Sequence, residues 1–161
     1  MGKSGKKSKF VVKKQKQFIS CLSRSLDAKG RLMLPPEYRE VLCAENTSGA
    51  FWITAFYGRL VAYLPNDWEK VVNELSSIKL PSPKLSHFKT KVLGLAQEII
   101  PDLQGRIRIP QSLMREVGLV KDVMVVGMVN KFEIWDQARF DQLQVEDVSE
   151  ELVASGVDIS L

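Results

Sequence analysis

The chain has 161 residues, 45% of them hydrophobic and 26% charged, with a mean hydropathy of −0.08. That apolar content is enough for a buried core and excludes wholesale disorder, and no apolar run approaches the ~18–20 residues that span a bilayer. The net charge of +4 conceals a split: residues 1–24 hold eight basic and no acidic side chains, while from Asp136 to Leu161 there are seven acids and one arginine.

The lysine-rich start, residues 1–17, reads as a flexible basic arm. No apolar stretch follows it, so it is not a secretory signal. A basic arm on a chain with an acidic tail suggests a polyanion partner for the arm. Cys21 and Cys43 lack the spacing of metal ligands or of a disulfide framework, which points to a reducing, cytosolic setting. With only one histidine, His87, the chain lacks the ligands of a conventional structural zinc site.

Next comes a motif that occurs twice. Asp27-Ala28-Lys29-Gly30-Arg31-Leu32-Met33-Leu34-Pro35 is matched by Asp102-Leu103-Gln104-Gly105-Arg106-Ile107-Arg108-Ile109-Pro110, an offset of 75 residues. A single Asp-x-x-x-Arg arises often by chance. Two copies in register, each followed by alternation and a proline, mark an internal repeat. Residues 22–34 read as a hairpin whose turn is 27–30. Asp27 and Asp102 start turns in which the carboxylate accepts from N–H groups two residues on, and Gly30 and Gly105 supply positive φ.

After each motif the pattern repeats again. A short helix over 37–42, with proline in its first turn, corresponds to one over 112–119 that Gly118 would cap. The second copy reads as having one extra residue before its Arg-Glu pair. Strands follow at 50–57 and 60–64, then at 122–129 and 132–135, with turns at Tyr57-Gly58-Arg59 and Asn130-Lys131. Between the copies, Asn66 is an N-cap candidate with Glu69 three residues on. Trp68, Val71, Val72, Leu75 and Ile78 then recur at helical spacing until Pro81 and Pro83 interrupt them. A second linker helix over 85–93 groups Leu85, Phe88 and Val92. These stripes read as core or subunit packing, and terminal helices over 138–145 and 148–154 as similar packing elements. The class is α+β, mainly β: a basic arm at 1–17, a first β unit at 20–67, a helical linker at 68–95, a second unit at 96–139 and an acidic tail at 140–161. Units of ~50 residues bury little surface alone, so the two should form one interlocked body.

Strand alternation sends Leu32, Leu34, Ile107 and Ile109 to one face, and Arg31, Met33, Arg106 and Arg108 to the other. Lys29 and Gln104 occupy the turn tips. The expected surface therefore carries Lys29, Arg31, Gln104, Arg106 and Arg108. Arginine offers a planar fork for guanine or phosphate, lysine a mobile point charge and glutamine a partner for adenine, and a two-stranded ribbon fits the DNA major groove. Each Asp–Arg pair equally suits an intraloop salt bridge, and the two roles can coexist.

These two motifs, together with Val126-Gly127 and Asn130-Lys131-Phe132-Glu133-Ile134-Trp135-Asp136, resemble those of the MraZ transcriptional regulators, from about Phe18 to the C-terminus. The resemblance implies two AbrB-type (SpoVT-AbrB) units whose hairpins swap within one chain into a double-psi β-barrel with peripheral helices. It also implies assembly into rings and binding to repeated promoter boxes upstream of the bacterial division and cell-wall gene cluster. By the same resemblance the DNA-contacting motifs fall on Asp27, Arg31, Asp102 and Arg106, with Lys29 nearby. Family members tend to start near the position of Phe18, whereas this chain has 17 residues before it. The implied partners are double-stranded DNA and further copies of the chain, in the cytoplasm at the nucleoid, with no cofactor, membrane or small-molecule substrate. A competing reading is a ring-forming interaction module whose only DNA affinity is non-specific and comes from the arm. An enzyme is disfavoured: the sequence has no nucleophile elbow, phosphate-binding glycine loop or metal spacing.

Overall fold

The computed structural model describes residues 16–79 and 82–159; most of the lysine arm and Pro81 lie outside the described residues. The first motif turn is flanked by β1 (Cys21–Ser25) and β2 (Arg31–Met33), followed by α1 (Pro36–Glu45) and the hairpin β3 (Phe51–Phe56) and β4 (Arg59–Tyr63). Two linker helices come next, α2 (Pro65–Ser76) and α3 (Pro83–Gly94). The second copy repeats the order: β5 (Gln97–Ile99), β6 (Arg106–Arg108), α4 (Gln111–Val117) and the hairpin β7 (Asp122–Gly127) and β8 (Lys131–Asp136). The chain continues through α5 (Gln137–Asp141) and α6 (Ser149–Ala154).

The strands form a six-stranded sheet in the order β1-β7-β8-β4-β3-β5 and a two-stranded ribbon, β2-β6, all antiparallel. Each copy keeps its own hairpin but lends its lead-in strand to the other: β1 pairs with β7 and β5 with β3. This is the swapped-hairpin α+β architecture expected from the sequence. The ladder does not close on itself, and β1 and β5 remain the edges of the large sheet.

The expected hairpin over 22–34 is not a ladder. β1 and β2 diverge at Asp27, and neither pairs with the other. The reason is local. The N–H groups of Lys29 and Arg31 are taken by the Asp27 carboxylate, and the Leu26 N–H is taken by the Lys121 carbonyl, so the chain leaves the turn committed to partners in the other copy. The second copy also has no extra residue in its helix. Buried Tyr38 and Leu42 correspond to buried Leu113 and Val117, so the 75-residue offset continues and Arg39 matches Met114.

The main core draws on both copies. The rings of Phe18, Tyr38 and Phe51 each lie 5.1–5.4 Å from that of Phe132, all four being almost fully buried. Leu32 and Ile107 reach the same core from beneath the ribbon. A second cluster on the other side of β3 and β4 takes the apolar faces of the linker helices: Trp68 stacks on Trp52 at 5.8 Å, with Val71, Val72, Leu75, Phe88 and Val92 around them. Thr54 donates from Oγ1 to the Val92 carbonyl at 2.6 Å and ties α3 to β3. Where β4 meets β8, the buried Glu133 accepts from Arg59 Nε at 3.1 Å and from Trp135 Nε1 at 3.0 Å.

Some helix boundaries differ from expectation. α2 starts at Pro65 with Leu64 as N-cap, and Asn66 sits in its first turn without capping it. Proline at the first helical position has no N–H to leave unsatisfied, so it starts the helix two residues earlier. Pro83 likewise begins α3 rather than ending α2, which stops at Ser76. Gly118 caps α4 at φ 70°. Of the terminal helices, α5 packs through Phe140 on Trp135, whereas α6 buries no residue.

Candidate nucleic-acid interface

Each motif folds into the same closed turn. Asp27 Oδ1 accepts from the N–H groups of Lys29 and Arg31, both at 2.9 Å, and Oδ2 accepts from Arg31 Nε at 2.7 Å. The main chain closes the loop: the Asp27 N–H donates to the Arg31 carbonyl at 2.9 Å and the Gly30 N–H to the Asp27 carbonyl at 3.0 Å. In the second copy Asp102 holds Gln104, Arg106 and the Arg106 Nε in the same way, all at 2.9 Å. Both arginines present Nε to the aspartate, and their terminal nitrogens make no hydrogen bond to it.

The backbone N–H of Arg31, then its guanidinium, hold the Asp27 carboxyl down at about 2, from a usual 3.8. The Arg106 N–H and side chain lower Asp102 in the same direction. Because folding depresses the Asp27 pKa, its stabilising contribution is complete above the ordinary carboxylate value and is lost as pH falls through about 2. The stability advantage of the wild type over Asp27→Asn is thus expected to be constant above pH ~4 and to shrink towards zero between pH ~4 and ~2. Urea unfolding of the two proteins across that range checks it.

Glycine is required at both turns. Gly30 has φ +76° and Gly105 φ +84°. A β-carbon on Gly30 would also lie 3.0 Å from Met114 Sδ and 3.1 Å from the Ile109 carbonyl oxygen. Gly30→Ala is expected to cost about 1–2 kcal/mol from the left-handed backbone alone, read as a lower urea midpoint at unchanged m-value.

The two turns are joined by the ribbon. Arg31 lies directly across from Arg108, Leu32 from Ile107, and Met33 from Arg106. Leu32, Leu34, Ile107 and Ile109 are buried, while Met33 and Arg108 are exposed and Arg31 and Arg106 are partly exposed, as the alternation predicts. Lys29 and Gln104 are exposed at the tips. The turns therefore sit at opposite ends of one short ribbon, separated by about 7 Å of strand. Each turn is also locked to the other copy's strand. The Ile109 N–H donates to the Gly30 carbonyl at 2.9 Å and the Leu34 N–H to the Gly105 carbonyl at 3.2 Å.

Like charges directly opposite one another destabilise an isolated sheet. A ribbon that sets Arg31 against Arg108, with Arg106 alongside, has a surface that a polyanion would neutralise. The structure thus brings together all five residues singled out by sequence, but on a ribbon built between the copies rather than on two separate hairpins. Two further arginines escaped the sequence reading. Arg24 donates from Nε to the Met33 carbonyl at 3.0 Å, and Arg39, from α1, lies directly over Gly105. Neither carries a motif that marks it: Arg24 reaches Met33 of its own copy, whereas Arg39 owes its place over Gly105 to the swap.

The family model described as "MraZ protein, putative antitoxin-like" matches residues 22–89 and again 92–156. The chain belongs to the MraZ family. The two matches follow the two halves of the internal repeat. A Transcriptional regulator MraZ from Nitratidesulfovibrio vulgaris strain Hildenborough is 45% identical over 138 residues, covering 84% of this chain and 93% of the relative. One from Syntrophobacter fumaroxidans is 40% identical over 116 residues, covering 72% and 77%. Another from Escherichia coli strain K12 is 37% identical over 134 residues, covering 82% and 88%.

Other features of this MraZ chain lie away from the ribbon. A hollow of about 630 Å³ is lined by Lys16, Glu45, Asp67, Lys70 and Asn130 among others, and includes none of the motif residues. Among the described residues there is no group of three or more His, Cys, Asp or Glu side chains placed to hold a metal ion. Among the described residues no helix is long and apolar enough to cross a membrane.

Proposed function

We propose that the chain is a transcriptional regulator that binds specific duplex DNA through the β2-β6 ribbon and its two Asp-closed turns. The observation that carries this reading is the Arg31–Arg108 cross-strand pair, framed by two turns of the same geometry. A ribbon of this width enters a major groove, where an arginine fork reads guanine and glutamine reads adenine. Asp27 and Asp102 are not contacts. Their charge is spent on the turn, and they hold each guanidinium through Nε, which leaves its terminal nitrogens unbonded to the carboxylate. The relatives named Transcriptional regulator MraZ support the regulatory role.

In this reading the target is the repeated box upstream of the division and cell-wall gene cluster, and the working form is a homo-oligomeric ring at the nucleoid. A ring multiplies contacts that are individually weak by raising the effective concentration of each subunit's ribbon along a row of boxes.

The test is fluorescence anisotropy with the DNA upstream of the chain's own gene and with a scrambled duplex, each at low and at near-physiological salt. Phosphate-only binding ignores sequence and collapses with salt. The expected result is a preference for the upstream duplex that survives added salt. Equal, salt-labile binding to both duplexes would sink the reading and leave only the affinity of the lysine arm.

A further inference from the structure

The two turns match in backbone but not in charge, and the internal symmetry shows where the difference is made up. Under the 75-residue offset, Lys29 corresponds to Gln104 and Arg108 to Met33. The first turn therefore has Lys29 at its tip and Arg108 beside it, with both lining the same small hollow over Gly30. The second turn has Gln104 and Met33 in those places and lacks both cations. The helix position that covers each turn is exchanged in the opposite sense. Met114 of α4 lies over Gly30, whereas Arg39 of α1 lies over Gly105. An arginine thus stands at the second turn where the first has a thioether.

Arg39 has no other evident use. It is half-buried, and among the described residues its side chain makes no hydrogen bond or ion pair. Asp102 beside it does not serve as its counter-ion, because both carboxylate oxygens are engaged by the turn N–H groups and Arg106 Nε. Glu40, next along α1, is paired with Lys16 at 3.1 Å. The guanidinium nitrogens of Arg39 stay open to solvent and are committed to no described protein group, so they are free to take an anion from outside.

We propose that Arg39 binds a DNA-backbone phosphate at the second turn, and so supplies there the charge that Lys29 and Arg108 supply at the first. This rests on the ribbon being the DNA-binding surface. Arg39 lies on the flank of the turn against the glycine, not among the outward arginines of the ribbon. From there it faces the phosphates bordering a groove rather than the base edges. It therefore adds affinity without adding sequence preference.

The experiment uses the full chain and two variants, Arg39→Met, the residue found at the equivalent position, and Arg39→Lys, with the upstream and scrambled duplexes. The slope of log K against log salt is measured for each. Wild type is expected to prefer the upstream duplex. Arg39→Met should lower the magnitude of the slope by about 0.9, the value of one phosphate contact, and weaken both duplexes alike, so the preference stays. Arg39→Lys should keep the wild-type slope. An unchanged slope and affinity in Arg39→Met would overturn the assignment. So would a loss of affinity in both variants at unchanged slope, since that is the mark of a residue that only shapes the turn. If the wild type itself fails to prefer the upstream duplex, the ribbon reading falls, and this one with it.

Discussion

A chain carrying Arg31→Ala together with Arg106→Ala is expected to lose its preference for the upstream duplex while keeping its fold. A well-formed bidentate contact to a base discriminates by ~1–3 kcal/mol, or about five- to 150-fold. Removing one from each turn should therefore reduce the specific affinity by at least about 30-fold. The fold should survive because each aspartate still accepts from two backbone N–H groups after its arginine is gone. The measurement is anisotropy on both duplexes with thermal unfolding alongside. A double variant that binds the upstream duplex as tightly as wild type, at unchanged Tm, would remove the two arginines from the interface.

The second large effect is expected in the core. Phe132 is fully buried and its ring meets Phe18, Tyr38 and Phe51, all three from the first copy. Phe132→Ala is expected to cost ~3–5 kcal/mol, the range for truncating a buried aromatic. A domain of this kind has only ~5–15 kcal/mol to lose. Because the ring belongs to the second copy and its neighbours to the first, both halves should destabilise together in one transition. Chemical denaturation followed at Trp52 in the first half and Trp135 in the second checks this. Two separated transitions would mean that the halves are independent bodies and that the swap is not what holds them.

The repeat, its turns and its apolar faces were legible because they obey local rules. Asp27 and Asp102 grip N–H groups two and four residues away, Gly30 and Gly105 take positive φ, and alternation alone sends Arg31, Arg106 and Arg108 to one face. The faces of α2 and α3 follow from helical spacing in the same way. The partner of each lead-in strand was not legible. Nothing near Cys21–Ser25 distinguishes β2 from β7 as its neighbour, and the choice depends on what buries both faces of a small sheet. The misplaced insertion in α4 had a similar origin. Matching Arg39-Glu40 to Arg115-Glu116 by letter overlooked that burial aligns Tyr38 with Leu113 and Leu42 with Val117.

From sequence alone, then, came the tandem units, the Asp-closed turns and the arginines that face outward, since these depend on hydrogen bonds and periodicities spanning a few residues. Only the tertiary structure decided that the two turns share one ribbon, that Arg31 stands across from Arg108, and that Arg39 covers the turn of the other copy. These are pairings between segments some 75 residues apart. They are selected by the burial of a common core that neither half can form alone.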